Sequence, residues 1–238
     1  MQRFATVLCT IACALFVVCA LLSCVESACF DRDFYEQEYR KLDTARSIGM
    51  KHSALMTVTN HLLDYTEGKV EKLSIKAEIK GRKVNVFDER DTAHMADVKA
   101  LYLAARTARN WMIPAILLLA LASFFLVAKD RARLFAKSCV IGFLIAGAVV
   151  GAIAIWAAAD FNAFWNSFHK FFFTNDLWLL DPKKSVLINM VPSQFFFDLV
   201  MRIAGLWGIF AGIPLLAAVT YLLVSRIRRH SLMTIIEE

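Results

Sequence analysis

The sequence predicts a membrane α-helical protein: a four-transmembrane-helix bundle with a small α+β extracellular cap domain and an interfacial aromatic helix. Three observations predict it. Hydrophobic residues make up 58% of the 238, above the roughly 45–50% of soluble domains. They gather in four long blocks, and the mean hydropathy of the chain is +0.53. Between the blocks lie one long segment of mixed charge, with helix and strand patterns, and one shorter segment rich in phenylalanine.

A helix needs about 20 apolar residues to cross a bilayer core. The first block, Phe4–Val25, meets that length. A cleaved signal peptide is the competing reading, and Leu21-Leu22-Ser23-Cys24 faintly resembles a lipoprotein processing site. The apolar run exceeds the roughly 7–15 residues of a signal-peptide core, so a retained helix is expected. The second block, Trp111–Ala128, is the shortest, with Trp111 and Pro114 at an interfacial start and Lys129 able to snorkel beyond its end. Cys139–Ala159 and Leu199–Val224 complete the set, and Arg202 is the one charge inside them. Gly147/Gly151 and Gly208/Gly212 have the small-xxx-small spacing that lets helix backbones approach.

The first intervening segment predicts helices over Asp33–Ser47 and Ser53–Tyr65, the second with Ser53 as N-cap and Gly68 just past its end. Leu73, Ile75, Ala77 and Ile79 then alternate with polar residues, and the alternation resumes at Val84 and Val86, so a hairpin turns near Gly81. Asp88 offers an N-cap, with Asp91 at the third position of a helix that runs through His94 toward Trp111. In the second segment Phe161, Phe164, Trp165, Phe168 and Phe172 recur at helical spacing. So aromatic a helix outside the spans belongs at the membrane interface.

Charge orients the chain. Lysine and arginine total 27 against 21 acids, a formal net charge of +6. Basic residues concentrate at Lys129–Lys137, at Arg226, Arg228 and Arg229, and at Arg3, which the positive-inside rule places in the cytoplasm with both termini. No dense basic cluster is interleaved with aromatics, so nucleic acid is not a predicted partner. The expected organisation is residues 1–29 as the first span, 30–110 as the cap, and 111–159 as the second and third spans with their basic loop. Residues 160–198 form an outer, interfacial segment, and 199–238 the fourth span and a cytoplasmic tail.

Nucleotide-binding, serine-hydrolase and zinc-protease motifs are missing. Five of the six cysteines (Cys9, Cys13, Cys19, Cys24, Cys29) fall in or just beyond the first block, Cys139 begins the third, and no Cys-x-x-Cys pair exists. Of the histidines, His230 sits among tail arginines, and His52 and His61 lie on predicted helices. His94 and His169 differ: each lies where the outer chain nears the membrane, close to groups able to fix its tautomer. Asp91 and Asp97 accompany the first, Asn166 and Asn175 the second. A metal-dependent hydrolase using His52, His61, His94 and His169, and a non-enzymatic partner-binding protein, are the alternatives.

Asp88–Lys99, Phe168-His169, Asn175–Pro182, Leu187–Pro192 and Phe195–Asp198 together resemble the lipoprotein intramolecular transacylase family of Gram-positive bacteria. Asp91 stands where that pattern has Glu, and Ser185 and Ser193 where acids are frequent. The resemblance implies an acyltransferase of the bacterial cell membrane with its active site at the outer leaflet. It would move the sn-2 acyl chain of a diacylglyceryl-modified lipoprotein onto the α-amino group of that protein's N-terminal Cys. It implies His94 and His169 as catalytic residues, with Asp91, Asp97, Asn175, Trp178 and Asp181 supporting them or binding substrate. Diacylated lipoproteins and membrane lipid are the implied partners, and no metal or other cofactor is called for.

Overall fold

The computed structural model describes residues 1–127 and 129–237, with side chains through Arg229. Ala128, Glu238 and the side chain of His230 lie outside the described residues. In order, the elements are α1 (Gln2–Cys29), α2 (Arg32–Lys41), α3 (Thr44–Ile48), α4 (His52–Thr66), β1 (Lys76–Ile79) and β2 (Arg82–Asn85). Then follow α5 (Glu89–Leu126), α6 (Arg131–Ala159), α7 (Phe161–Phe172), α8 (Val186–Met190) and α9 (Ser193–Glu237). Four of these, α1, α5, α6 and α9, are long and apolar enough to cross a membrane. The protein is therefore a multi-pass integral membrane protein.

Two compact units divide the chain. The membrane unit comprises Met1–Val25, Ala108–Ile155 and Ile203–Glu238. Its outward side chains are apolar, with Phe125 77% and Leu216 69% exposed, as lipid rather than water requires. Inside, Ala5, Cys9, Val127 and Leu134 pack together, and Val17, Cys24, Trp207 and Ala211 form a second cluster. The Trp207 indole N–H donates to the Val17 carbonyl (3.1 Å) and its ring stacks on Phe143. The predicted small-xxx-small contacts are not where helices meet. A Cβ added at Gly151, Gly208 or Gly212 would touch nothing within 4 Å, and at Gly147 its three nearest atoms would all belong to Phe143 of the same helix. Close approach falls at Gly142 instead, where an added Cβ would lie 2.7 Å from the Cys13 Cβ and 2.8 Å from the Ala14 nitrogen.

The second unit, Glu26–Thr107 and Trp156–Arg202, carries the shorter elements. Asp31 caps α2 by accepting from the Asp33 and Phe34 amides. The helix expected over Asp33–Ser47 is broken in two, because Asp43 takes a left-handed conformation (φ 50°) between α2 and α3. One turn later Gly49 does the same (φ 78°) and ends α3. The second helix starts a residue before its expected cap: Lys51 occupies the N-cap position with no side-chain bond, and Ser53 lies inside α4. Gly68 ends that stretch with positive φ, as its position predicts. The hairpin pairs Ala77 with Val84 and turns through Lys80 and Gly81, both at positive φ, the geometry of a tight two-residue turn. Tyr39 and Phe195, both fully buried, anchor the apolar interior, and the Tyr39 hydroxyl meets Thr59 at 2.9 Å.

Helix α5 carries both patterns, its first residues belonging to the second unit and its last to the membrane unit. Its 38 residues span about 57 Å, about twice a bilayer core. Only its apolar second half, from Trp111, can be membrane-spanning, and the charged first half is free to carry functional groups.

Candidate active site

The Asp88 carboxylate accepts from the Asp91 amide at 2.7 Å, and the Asp91 carboxylate accepts in return from the Asp88 amide at 3.4 Å. This reciprocal cap fixes the start of α5. His94 follows one turn later on the charged half of that helix. His169 lies in the last turn of α7, a helix opened by Asp160, whose carboxylate accepts from the Ala163 amide. The two imidazoles face each other, with ring centroids 6.0 Å apart and planes inclined at 36°.

Aromatic rings close around the pair. Phe173 lies edge-on to His94 at 5.4 Å and tilted over His169 at 5.6 Å. Trp178 covers His169 at 4.9 Å and Trp165 flanks it at 4.8 Å. His94 and His169 are only 8% and 7% exposed.

The polar contacts give the two rings different characters. Nδ1 of His169 lies 2.8 Å from the Trp165 carbonyl. A carbonyl only accepts, so this nitrogen carries the proton and Nε2 of the neutral ring presents a lone pair. Nδ1 of His94 is buried without a partner. Burial disfavours the imidazolium in both. It lowers the pKa of His94 to about 4, helped by the neighbouring His169 and opposed by Asp97. The pKa of His169 is also pushed down by burial, against the pull of the Trp165 carbonyl. Two neutral imidazoles, one with a directed lone pair, form a proton acceptor beside a neutral hydrogen-bond donor.

The other residues singled out from the sequence divide. Asp97 accepts from the Asn175 amide at 2.9 Å. Asp91 is fully buried and accepts from the Ser185 hydroxyl at 2.6 Å; burial raises its pKa, which the serine bond opposes. Trp178 stands against His169. Asp181 instead shapes a turn: its carboxylate accepts from the Lys183 amide and its carbonyl from those of Lys184 and Ser185. His61 bonds the Lys72 carbonyl (3.1 Å) and His52 lies 3.8 Å from Glu36. The four-histidine ligand set is therefore not assembled. The sequence assigned no role to Phe173, the Trp165 carbonyl or Ser185. The first was one phenylalanine among nineteen, the second carries no side-chain signal, and the third stood out only as a serine where acids are frequent, without the charge that would suggest a role.

A family model described as lipoprotein intramolecular transacylase Lit matches residues 10–196. The chain belongs to that family. It is accordingly an acyltransferase of the membrane, a lipoprotein intramolecular transacylase. The chain is also similar to solved structures of the Lit transacylase from Bacillus cereus. One shares 18% identity at a TM-score of 0.73, covering 97% of this chain and 98% of that one. A histidine-to-alanine variant of the same enzyme shares 16% identity at a TM-score of 0.69, covering 95% and 96%. At such identities the likeness establishes the shared fold. No curated protein matches the chain. In this transacylase both facing histidines fall within the matched residues.

Proposed function

We propose that the enzyme transfers the sn-2 acyl chain of a diacylglyceryl-modified lipoprotein to the α-amino group of its N-terminal Cys, with His169 as general base and His94 as oxyanion donor. The observation that carries this reading is the buried, facing imidazole pair, with Nδ1 of His169 held by the Trp165 carbonyl.

The chemistry follows from the protonation states. An α-amino group titrates at about 7.7–8.0, above both imidazoles, whose pKa values burial lowers, so the amine must attack as the free base. Attack on the ester carbonyl creates an ammonium and an oxyanion on one tetrahedral carbon. That ammonium is far more acidic than the starting one, and Nε2 of His169 takes its proton. His94 donates its ring N–H to the oxyanion; a neutral imidazole serves as such a donor when its pKa is depressed. Collapse breaks the sn-2 C–O bond, and the leaving alkoxide takes the proton from His169. One N–C bond forms, one C–O bond breaks and one proton moves from nitrogen to oxygen. Donor and acceptor sit on one molecule, which makes the step unimolecular and removes much of the entropic barrier.

Asp97, steadied by Asn175, modulates His94. Asp91 and Asp181 support the backbone, and Trp178 lines the acyl carbonyl's approach. The reading also holds residues 30–110 and 160–198 as the outer-face segments, with α7 in the interface, the site at the outer leaflet and both termini cytoplasmic.

The test is incubation of the membrane-embedded enzyme with a synthetic diacylated lipopeptide. The expected product has unchanged mass, one new amide at the N-terminal Cys and a free sn-2 hydroxyl. An acyl group trapped covalently on Cys24 or Cys29 along the reaction path would contradict it and indicate nucleophilic catalysis.

A further inference from the structure

Residues 173–185 run between α7 and α8 as a strap without regular helix beyond short turns. The strap carries the two rings that cover the imidazoles, Phe173 and Trp178. Three polar ties fasten it to the charged half of α5. The Arg90 guanidinium donates to the Asp176 carbonyl, Asn175 donates to Asp97 (2.9 Å), and the Ser185 hydroxyl donates to Asp91 (2.6 Å). The ties differ in setting. Arg90 is solvent-exposed, whereas Asp91 and Ser185 are 0% and 3% exposed. Ser185 also accepts from the Ile188 amide and so begins α8. The ties leave the first turns of α5 between Arg90 and Asp97, the stretch on which His94 also sits.

We propose that this strap decides between acyl transfer and hydrolysis, and that Ser185 and Arg90 are the positioning residues that hold it closed over the imidazoles. The inference rests on the assignment of His94 and His169 above. A base placed to take a proton from an attacking amine can also take one from water, although water is the weaker nucleophile and the weaker acid. Water attack forms an O–C bond to the acyl carbon, breaks the same sn-2 C–O bond and sends the water proton to the leaving alkoxide. The products are free fatty acid and a lyso-lipoprotein with an unmodified amine. Exclusion of water suppresses this further, which is a recognised task of a closed active-site cover. The ring of Phe173 lies 5.4 Å from that of His94 and the indole of Trp178 4.9 Å from that of His169, so the strap covers both imidazoles. Loosening either fastening of the strap admits water to a base that still works.

The partition between products tests this, because it does not depend on how much folded enzyme is present. The full-length enzyme in membranes is given a synthetic diacylated lipopeptide, and free fatty acid and N-acylated product are quantified by mass spectrometry. Ser185→Ala is expected to raise the ratio of fatty acid to N-acyl product about tenfold, the scale of one lost hydrogen bond. Arg90→Ala, at an exposed tie, is expected to raise it about threefold by the same argument. Ser185→Thr, which keeps the hydroxyl, should restore the parental ratio. Should Ser185→Ala fail to accumulate, Arg90→Ala alone decides. Parental ratios in the variants that turn over would overturn the proposal. His94→Ala and His169→Ala separate the two readings. If both still transfer near the parental rate, the catalytic assignment falls and this inference with it. If both are silent while the strap variants keep the parental ratio, the strap inference alone falls.

Discussion

The pKa shifts of the two imidazoles have a kinetic consequence at the scale of single residues. Burial lowers both, His94 to about 4. Their neutral forms therefore persist as pH falls through the ordinary histidine range near about 6.5. The substrate amine is the group that titrates first, near about 7.7–8.0. In kcat/KM, which reports the free enzyme and free substrate, activity should fall with unit slope from about pH 7.5 through the ordinary histidine value of about 6.5, on those reference values. A slope of two beginning near the ordinary histidine value would mean that an unshifted histidine must be neutral, against the burial described. As candidates, His94 and His169 were legible in the sequence because each lies where the outer chain nears the membrane, close to groups able to fix its tautomer. Their setting was not, since the Trp165 carbonyl and the ring of Phe173 matter through position alone.

At the scale of elements, Gly142 is the glycine that lets two helices of the membrane unit approach closely. The Cβ of an alanine at Gly142 would press on the Ala14 backbone nitrogen at 2.8 Å, and backbone cannot swing aside as a side-chain tip can. Gly142→Ala should lower stability by about 1–3 kcal/mol, the usual range for overpacking. Gly212→Ala, in open space, should leave it within about 0.5 kcal/mol, as for surface changes. Thermal unfolding in detergent with a thiol-reactive dye measures both. Equal effects would contradict the packing. Here the sequence misled, because spacing identifies small residues on one helix but not which face meets a neighbour. The hairpin and the Asp88 cap were readable since turn chemistry and capping are local. The break at Asp43 was not: nothing local distinguishes an aspartate driven into left-handed conformation by its surroundings from one continuing a helix.

The whole molecule combines four spans with a polar unit holding the histidine pair. The four spans were plain from hydropathy, which reports length and composition directly, whereas the arrangement around the imidazoles depends on contacts between residues 94 and 169. For chemistry at the outer leaflet, the polar unit must face outward. Lys129→Cys, in the basic connection, should react with an impermeant maleimide only after the cytoplasmic side is opened. Lys80→Cys, in the hairpin turn, should react on intact cells; the reverse pattern would overturn the orientation. The central claim is that the two histidines act as one device. A double-mutant cycle of His94→Ala and His169→Ala on N-acylation of a diacylated lipopeptide tests it most directly. The account predicts that each single variant loses nearly all transfer and that the double variant is little worse, as for residues acting as a unit. Near-parental transfer by either single variant, or losses that simply add, would contradict it.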